Sequence, residues 1–498
     1  MKGMLVRGTG RNLVLIAAAV VVSATTTTAA ELTLEQALNR AVNRTARGSI
    51  IDGRLEVAEQ NYQARRTNFY FPEFSINGAL PAYNADQSYR FFGGFDNKQL
   101  IQTTDLGFRS FIEAKQSLIT GGDLRITANL TANEQEYPTQ RFRVVDSTQV
   151  LVDITERERQ GFFAFSLNQP LLQPSEAKHD LHNKQDDLRL AELKQIEDEA
   201  ALRTEVIEAY MGVVRLDLVE RLSQDKLRSA LLQAEIDSSK FADGIISEEE
   251  YLSSKSAYLD AELELFEAET SAKEQRRQLA MLLDYDPEEP LTTQPPEVTD
   301  AFTEAEGQAY INQWESSLKI SRAKYQYSKS ARQADYTASS HGLNGDLSVN
   351  YSFGRGTIET DDQPDNDINT NNWGIALNFS YPIWDGGASS SAVQAAKLEA
   401  EQSRLEYVAA EKSAKADIIN LVNRLNVSYR RLQIVRQQID LAENRLNIAQ
   451  SRLDDGQISE LTFLESRISY FETRDKYLEE LKTYLLNKTE LEGTFINS

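Results

Sequence analysis

The sequence contains no cysteine and only three histidines among its 498 residues. Without cysteine the chain can form no disulfide, no thiolate zinc site, no cysteine nucleophile and no lipidated N-terminal cysteine. The few histidines leave little material for a histidine-based metal site or general base. Glycine (24 residues) and proline (11 residues) are also too scarce for a loop-rich all-β protein.

Basic residues are outnumbered, with 53 Lys and Arg against 76 Asp and Glu, which gives a formal net charge of -23. Because phosphate binding needs a basic face, this balance argues against a nucleic-acid partner. Long apolar runs are absent as well. The longest uninterrupted run, Leu13 to Val22, is about half of the roughly 20 residues that a membrane-spanning helix needs. A helical inner-membrane protein is therefore excluded, whereas a β-barrel with short alternating strands is compatible with the sequence.

Residues 1–30 have the parts of a cleaved secretory signal peptide. Lys2, Arg7 and Arg11 make the start positive, the apolar run follows, and small residues lead to Ala30. We expect cleavage after Ala30. The alternative is a membrane anchor, for which the apolar run is too short.

The remaining chain repeats itself at an offset of 212 residues. FSLNQPLLQPS (165–175) aligns with LNFSYPIWDGG (377–387), and FADGIISEEEYLSSKSAYL (241–259) aligns with LDDGQISELTFLESRISYF (453–471). Since both matches share one offset, the segments between them have equal length. This indicates a tandem duplication.

The seam between the copies is rich in proline. We predict a first repeat at 31–290, a linker at 291–300 and a second repeat at 301–498. A weaker echo of LTLEQAL (32–38) in FTEAEGQ (302–308) supports two equivalent starts.

Each repeat contains a very long segment with apolar residues three and four apart, at 176–240 and at 388–452. A helix of this length spans roughly 98 Å, which no single globular domain can bury. Such helices lie side by side in coiled-coil fashion or form the wall of a tube. We predict return helices at 247–284 and 459–492, so that each repeat ends in an antiparallel helical hairpin.

Ahead of each long helix the apolar period changes to two. The alternation predicts strands at about 72–85, 160–170, 345–354 and 373–382. One apolar face opposite small polar residues is typical of a lipid-facing barrel with a wet lumen, although a half-buried soluble sheet gives the same pattern. The signal peptide and aromatic residues near the strand ends favour the barrel. Four strands cannot close a water-filled barrel, so a pore requires oligomerisation.

With these features the sequence resembles the TolC-type outer-membrane efflux proteins (outer membrane factors). The likeness covers nearly all of 31–498. It rests on LTLEQALNRAVNR (32–44), on YPIWDGG (381–387) with its counterpart QPLLQPS (169–175), and on RLDDGQISELTFLESR (452–467) with its counterpart KFADGIISEEEYLSSK (240–255).

The resemblance implies a mostly α-helical fold with a membrane β-barrel. In such a homotrimer, each protomer gives four strands to a shared 12-stranded barrel in the outer membrane. The barrel continues into a 12-helix α-barrel across the periplasm. The implied function is the exit duct of a tripartite efflux or type I secretion system, and the implied partners are a periplasmic adaptor protein and an inner-membrane pump.

The chain departs from the family in two respects. Members often carry a lipidated N-terminal cysteine, which this chain lacks. The region 86–160 is also longer than usual, and within 105–133 two alternating segments flank the pair Gly121 and Gly122. These segments either belong to an extracellular elaboration or add two membrane strands per protomer, which would make 18 in a trimer. We expect the extracellular elaboration.

The resemblance also assigns roles to the two hairpin turns, at the far end of the long helices. Family members place acidic rings at this constricted inner end. Glu465 matches one ring position, Thr462 stands where a second carboxylate is common, and Glu250 is the counterpart in the first copy. We expect Glu465, with Glu250, to line a closed periplasmic entrance that favours cations. A solvated acidic cap is the alternative.

The same turns dock the adaptor in the family. The residues expected to form this docking tip are Asp243, Gly244, Ser247, Arg452, Asp455, Gly456 and Ser459. We expect a positive φ at both glycines and helix N-caps at both serines.

No pattern of an enzyme or cofactor site is found. His179 and His182 have a spacing that can bind a metal, but no third ligand is evident. We therefore expect no catalysis, cofactor or metal. The alternative to a duct is a secreted trimeric coiled-coil structural protein or adhesin stalk without a pore, and a periplasmic enzyme on a helical scaffold is a more distant third.

Overall fold

The structure is a computed structural model that describes residues 31–91, 98–145, 148–288, 291–297, 302–360 and 363–496. The expected signal peptide, residues 1–30, lies outside the described residues, as does the end of the expected linker. The described chain is mostly helical. None of its helices is both long enough and apolar enough to cross a membrane.

The helices, in chain order, are α1 (Leu34–Arg44), α2 (Ala46–Tyr70), α3 (Glu176–Ala242), α4 (Glu248–Leu282), α5 (Glu304–Asn312), α6 (Leu318–Ser340), α7 (Ala388–Asp454) and α8 (Glu460–Glu492). The strands are β1 (Glu31–Leu32), β2 (Glu73–Phe91), β3 (Lys98–Ser117), β4 (Asp123–Val145), β5 (Thr148–Pro170), β6 (Thr292–Thr293), β7 (Asn344–Thr360) and β8 (Gln363–Ser380).

The two halves of the chain have equivalent elements. A short helix and a longer helix precede strands in each half, and the strands lead into a helix of 67 residues, α3 in one half and α7 in the other. The starts of α1 and α5 have the same capping box, Thr33 with Gln36 and Thr303 with Glu306. The predicted long and return helices are therefore observed, and the exact repeat boundaries stay a prediction.

One antiparallel sheet contains six strands in the order β2-β3-β4-β5-β7-β8. The expectation of four strands per chain is therefore wrong, since β3 and β4, within region 86–160, belong to the same sheet. The strands β3 and β4 insert between β2 and β5 because their alternating segments pair with both neighbours along most of their length.

The turn between β3 and β4 lies at the helical end of the sheet. Its backbone closes through a hydrogen bond of 2.7 Å from the Leu118 N–H to the Gly122 carbonyl, and Gly121 has a φ of +94°. The Gln116 side chain donates to the carbonyl of Phe69, near the end of α2, at 3.1 Å. The inserted strands thus start at the same end of the sheet as the helices.

The helices pack in two tiers along α3 and α7. Near the sheet, α2 and α6 lie on either side of α3, and α6 also packs on α7. Farther from the sheet the order is α4, α3, α8, α7. Between the tiers, a short parallel sheet of β1 and β6 joins the start of the first repeat to the expected linker.

The largest apolar core lies between these tiers, halfway along α3 and α7. Its fully buried side chains include Val206, Tyr210, Val213, Leu279, Ile418, Leu425, Leu481 and Leu491. The Tyr210 hydroxyl lies 2.6 Å from the carbonyl of Leu32 and 2.7 Å from that of Gln294, which fixes the short sheet to α3.

Candidate functional site

The two hairpin turns at the far end of the helices have the same backbone. In the first turn, the N–H of Gly244 donates to the Phe241 carbonyl at 2.9 Å and that of Ile245 to the Lys240 carbonyl at 2.8 Å. In the second, Gly456 and Gln457 repeat these bonds with the same distances, to the carbonyls of Leu453 and Arg452. This pairing is a Schellman motif, which ends a helix with a left-handed residue.

Gly244 has a φ of +69° and Gly456 a φ of +70°, which confirms the expected positive φ. A Cβ at either position would meet open space. The requirement for glycine is therefore conformational and not steric.

The serines cap the return helices as expected. The Ser247 hydroxyl accepts the Glu250 N–H at 3.2 Å, and the Glu250 carboxylate accepts the Ser247 N–H at 2.9 Å and its hydroxyl at 3.0 Å. These bonds lower the pKa of Glu250. Ser459 accepts the Thr462 N–H at 3.2 Å. Glu250 and Thr462 thus hold the same position in their helices, where Glu250 completes a capping box.

Glu465 lies apart from these caps. It is exposed on α8, and with Thr462 it lines an open groove of about 540 Å³ between α7 and α8. Arg445 and Lys476 line the same groove, so its walls carry charges of both signs. The structure therefore places Glu465 and Thr462 together, and it gives the Glu250 carboxylate a local partner in its own helix.

The outermost residues of the turns are exposed. Asp243, Arg452 and Asp455 are all accessible at the end of their hairpins. Both aspartates follow the last residue of a long helix, as its C-cap.

The surfaces of the two turns differ. In the first turn Phe241 stacks on Tyr251 with ring centroids 5.3 Å apart, and Ile245 is 70% exposed. The corresponding positions of the second turn are Leu453, Phe463 and Gln457. The first hairpin therefore ends in an apolar patch, which we had not identified from the sequence. The signal for this patch in the sequence is Ile245, which occupies the position of Gln457 in the otherwise matching second motif.

Ion pairs join the two hairpins along α3 and α8, above the turns. The carboxylate of Asp225, which is only 5% exposed, binds the Arg467 guanidinium through both oxygens. Nearer the tip, Arg228 pairs with Glu460. Farther from it, Arg215 binds Asp475 at 2.7 Å and Glu479 at 3.0 Å.

The ion pair of Asp225 and Arg467 is partly buried, and each charge stabilises the other. The carboxylate raises the pKa of Arg467 and so keeps the guanidinium charged. Sequence reasoning missed this pair. The sequence does contain a signal for it. Asp225 follows Leu222 by three residues and Leu218 by seven, so it occupies a position where the helical pattern predicts an apolar side chain.

The histidine pair lies near the start of α3. His179 stacks on Tyr336 with centroids 4.2 Å apart, and its Nε2 is 2.9 Å from the Gln333 Oε1. Burial and the nearby Arg332 lower the pKa of His182. Across the described ranges, no group of three or more His, Cys, Asp or Glu side chains could hold a metal ion. The arrangement is that of a packing contact between α3 and α6.

Residues 319–493 match the family model described as outer membrane efflux protein. A search of curated protein sequences gave no match.

Solved structures of bacterial membrane proteins have a similar fold. A membrane protein from Pseudomonas aeruginosa is 14% identical, with 93% of this chain and 90% of that chain covered and a TM-score of 0.57. The CmeC outer membrane channel of Campylobacter jejuni is 12% identical, with 93% and 86% covered and a TM-score of 0.57. The outer membrane protein VceC of Vibrio cholerae is 14% identical, with 93% and 95% covered and a TM-score of 0.55. At these identities the likeness concerns the fold.

Proposed function

We propose that this TolC-type outer-membrane efflux protein is the exit duct of a tripartite efflux or type I secretion system. It lies in the outer membrane, with its helical part in the periplasm. The observation that carries the proposal is the direct passage of an antiparallel sheet into two helices of 67 residues, each of which returns in a hairpin. A sheet in the membrane thereby continues into a helical wall about 100 Å long.

The working unit is a homotrimer: the two open edges of one chain require neighbouring chains, and the resemblance to the TolC-type family implies three of them. The strands β2 and β8 stand at the two edges of the sheet, and unpaired edges demand a partner. The outer helices of the tier farther from the sheet, α4 and α7, carry exposed apolar residues at heptad spacing: Leu252, Leu259 and Phe266 on α4, and Val427, Ile434, Leu441 and Ile448 on α7. A head-to-tail contact that joins these edges closes a ring.

Two experiments test the trimer: the mass of the protein in detergent, and the effect on that mass of one charged residue placed among the exposed apolar residues of α4 or of α7. We expect the wild-type protein, extracted in detergent, to have the mass of three chains. Leu259→Glu and Ile434→Glu should each reduce the trimer to smaller species because a carboxylate would be buried at the ring contact. Glu262→Gln, on the exposed surface of the same helix, is the control. A stable monomer of wild-type protein would contradict the ring.

Glu465 contributes an acidic ring to the periplasmic entrance, and Glu250 adds its negative charge from the capping box at Ser247. The support is the exposed position of Glu465 in the groove between α7 and α8. Three copies of one carboxylate around a narrow axis favour cations. In planar bilayers, Glu465→Gln should lower cation selectivity and divalent-ion block. Thr462→Glu should raise both, because it adds a second carboxylate beside the first. Unchanged selectivity in Glu465→Gln would refute this role.

The tip turns dock the adaptor protein, which connects the duct to an inner-membrane pump. The exposed ends of both hairpins, with the apolar patch of Phe241, Ile245 and Tyr251, support this role. Gly456→Trp should abolish crosslinking to the adaptor and leave the trimer intact. Ile245→Gln, which copies the second turn, should weaken crosslinking through the first turn alone. Full crosslinking in Gly456→Trp would count against docking at this turn.

The alternative function is a coiled-coil stalk without a pore. Extraction from the membrane and conductance in bilayers distinguish the duct from the stalk. The duct requires detergent for extraction and opens channels in planar bilayers, whereas the stalk is released by a wash without detergent and inserts no channel. The duct is favoured by the sheet, in which an apolar row from Phe74 to Trp373 lies on the face opposite a polar row from Ser75 to Asn372.

A further inference from the structure

The register of the six-stranded sheet aligns one apolar face across every strand. A single row of paired residues runs through Phe74, Ala114, Ile126, Phe165, Tyr351 and Trp373. A second row on the same face runs through Ile76, Ile112, Ala128, Phe163 and Phe353, and it ends at the polar Asn371 on β8. The inserted strands β3 and β4 thus contribute apolar residues at the same level as the other four strands.

The opposite face at this level is polar or small. The row between the two apolar rows runs through Ser75, Glu113, Thr127, Ala164, Ser352 and Asn372. On this face Glu113 of β3 forms an ion pair with Arg125 of β4 at 3.3 Å. Charged residues in the inserted hairpin are therefore confined, at this level, to the face that would line a wet lumen.

From these two faces we infer that β3 and β4 are transmembrane strands of the barrel wall, so that the trimer closes a barrel of 18 strands. The inference rests on the trimeric duct proposed above. Both faces of an extracellular hairpin would contact water, so such a hairpin would not need apolar residues in register with the apolar rows of the neighbouring strands. The β3–β4 turn lies at the helical end of the sheet, so β3 and β4 have to cross the same apolar rows as the other strands.

The added strands change the width of the exit. With strands about 4.8 Å apart and tilted by about 40°, 18 strands enclose a barrel roughly 36 Å across, against roughly 24 Å for 12 strands. A barrel of 18 strands therefore gives cargo a wider exit through the membrane than a barrel of 12 strands.

Single cysteines test the two faces cleanly because the chain has no cysteine of its own. Ile126→Cys places a thiol on the apolar face of β4, and Thr127→Cys places one on the opposite face. Val349→Cys and Asn350→Cys are the matched pair on β7, a strand that belongs to the barrel under either strand count. The protein is reconstituted in lipid vesicles, and the reaction with a charged, water-soluble maleimide is timed.

We expect Thr127→Cys and Asn350→Cys to react at least tenfold faster than Ile126→Cys and Val349→Cys. If Ile126→Cys reacts as fast as Thr127→Cys while Val349→Cys stays protected, the hairpin lies outside the membrane and the inference is overturned, but the duct stands. If Val349→Cys is reactive as well, the barrel itself fails. The mass in detergent then fixes the count, and any oligomer other than a trimer overturns the number 18.

Discussion

The middle of the helical part and its tip are held together by different forces. In the middle, α3, α7 and α8 meet around fully buried apolar side chains, and the short helices α1 and α5 cover them. At the tip the hairpins are joined by charged pairs such as Asp225 with Arg467 and Arg228 with Glu460. Apolar packing resists any separation, whereas a few ion pairs can be exchanged for water at small net cost. The middle therefore depends on its apolar core, whereas the ion pairs that join the hairpins at the tip can separate at a lower cost.

The largest expected effect comes from the middle. Leu481 is fully buried in α8, so Leu481→Ala should lower the free energy of unfolding by about 2–5 kcal/mol through lost burial and a cavity. Denaturant unfolding of the detergent-solubilised protein measures this. Leu481→Met keeps the volume and should cost under about 1.5 kcal/mol. An equal loss in both variants would show that the middle does not depend on packing.

The next effect comes from the tip. Asp225→Ala leaves Arg467 without its carboxylate in a partly buried place, which should cost about 1–3 kcal/mol after allowance for the exposed part of Arg467. The loss should be local, so channel conductance in planar bilayers should rise as α8 moves from α3.

The neighbouring Lys226 provides the control for this variant. It pairs with Glu264 within the first hairpin at 2.6 Å, in a more exposed setting. Lys226→Ala should leave conductance unchanged. A rise in conductance in Lys226→Ala, or none in Asp225→Ala, would contradict the view that the ion pair between α3 and α8 holds the tip together.

The middle should also respond to alkaline pH. Burial raises the pKa of Tyr210 to about 12, above its value of about 10 in the unfolded chain. The folded state then holds the phenol proton where the unfolded state has lost it, so stability is complete below pH 10 and falls as the pH rises. We expect a loss of about 1 kcal/mol between pH 10 and pH 11 relative to Tyr210→Phe, measured by unfolding at each pH. Parallel curves for the two proteins would refute the role of Tyr210.

The smallest effect concerns the turns. Gly456→Ala should cost about 1 kcal/mol because an alanine at φ +70° is strained although its Cβ has room. Asn tolerates this conformation better, so Gly456→Asn should cost less. Thermal unfolding of the two variants and the wild-type protein measures these losses of stability. A greater loss in Gly456→Asn than in Gly456→Ala would indicate a steric rather than a conformational requirement.

Periodicity predicted the parts of the fold that depend on one element at a time. The long helices, the return helices and the caps at Ser247 and Ser459 follow from local spacing and turn chemistry, and the structure has them within a few residues. The helices α2 and α6 were not predicted. Most side chains of α2 are exposed, and α6 fully buries only Leu318, Ile320 and Ala334, so neither helix has a long apolar stripe in its sequence.

The strand count shows where sequence reasoning stops. The alternation in β3 and β4 was visible, but the level at which a strand crosses the sheet depends on its register with neighbours far away in sequence. The same limit applies to the tip. Glu250 fits an acidic ring by position, yet only the structure shows its carboxylate bound to Ser247, and only packing brings Asp225 to Arg467.

The pairing of Glu31–Leu32 with Thr292–Thr293 has a consequence for folding. More than half of the chain lies between these two strands, which meet over the Tyr210 hydroxyl. The core between the two tiers can therefore be completed only after the chain that joins the repeats has been synthesised and has paired with the start of the first repeat. Such distant contacts slow folding, and we expect the first repeat alone to remain open and prone to capture by chaperones until the second repeat arrives.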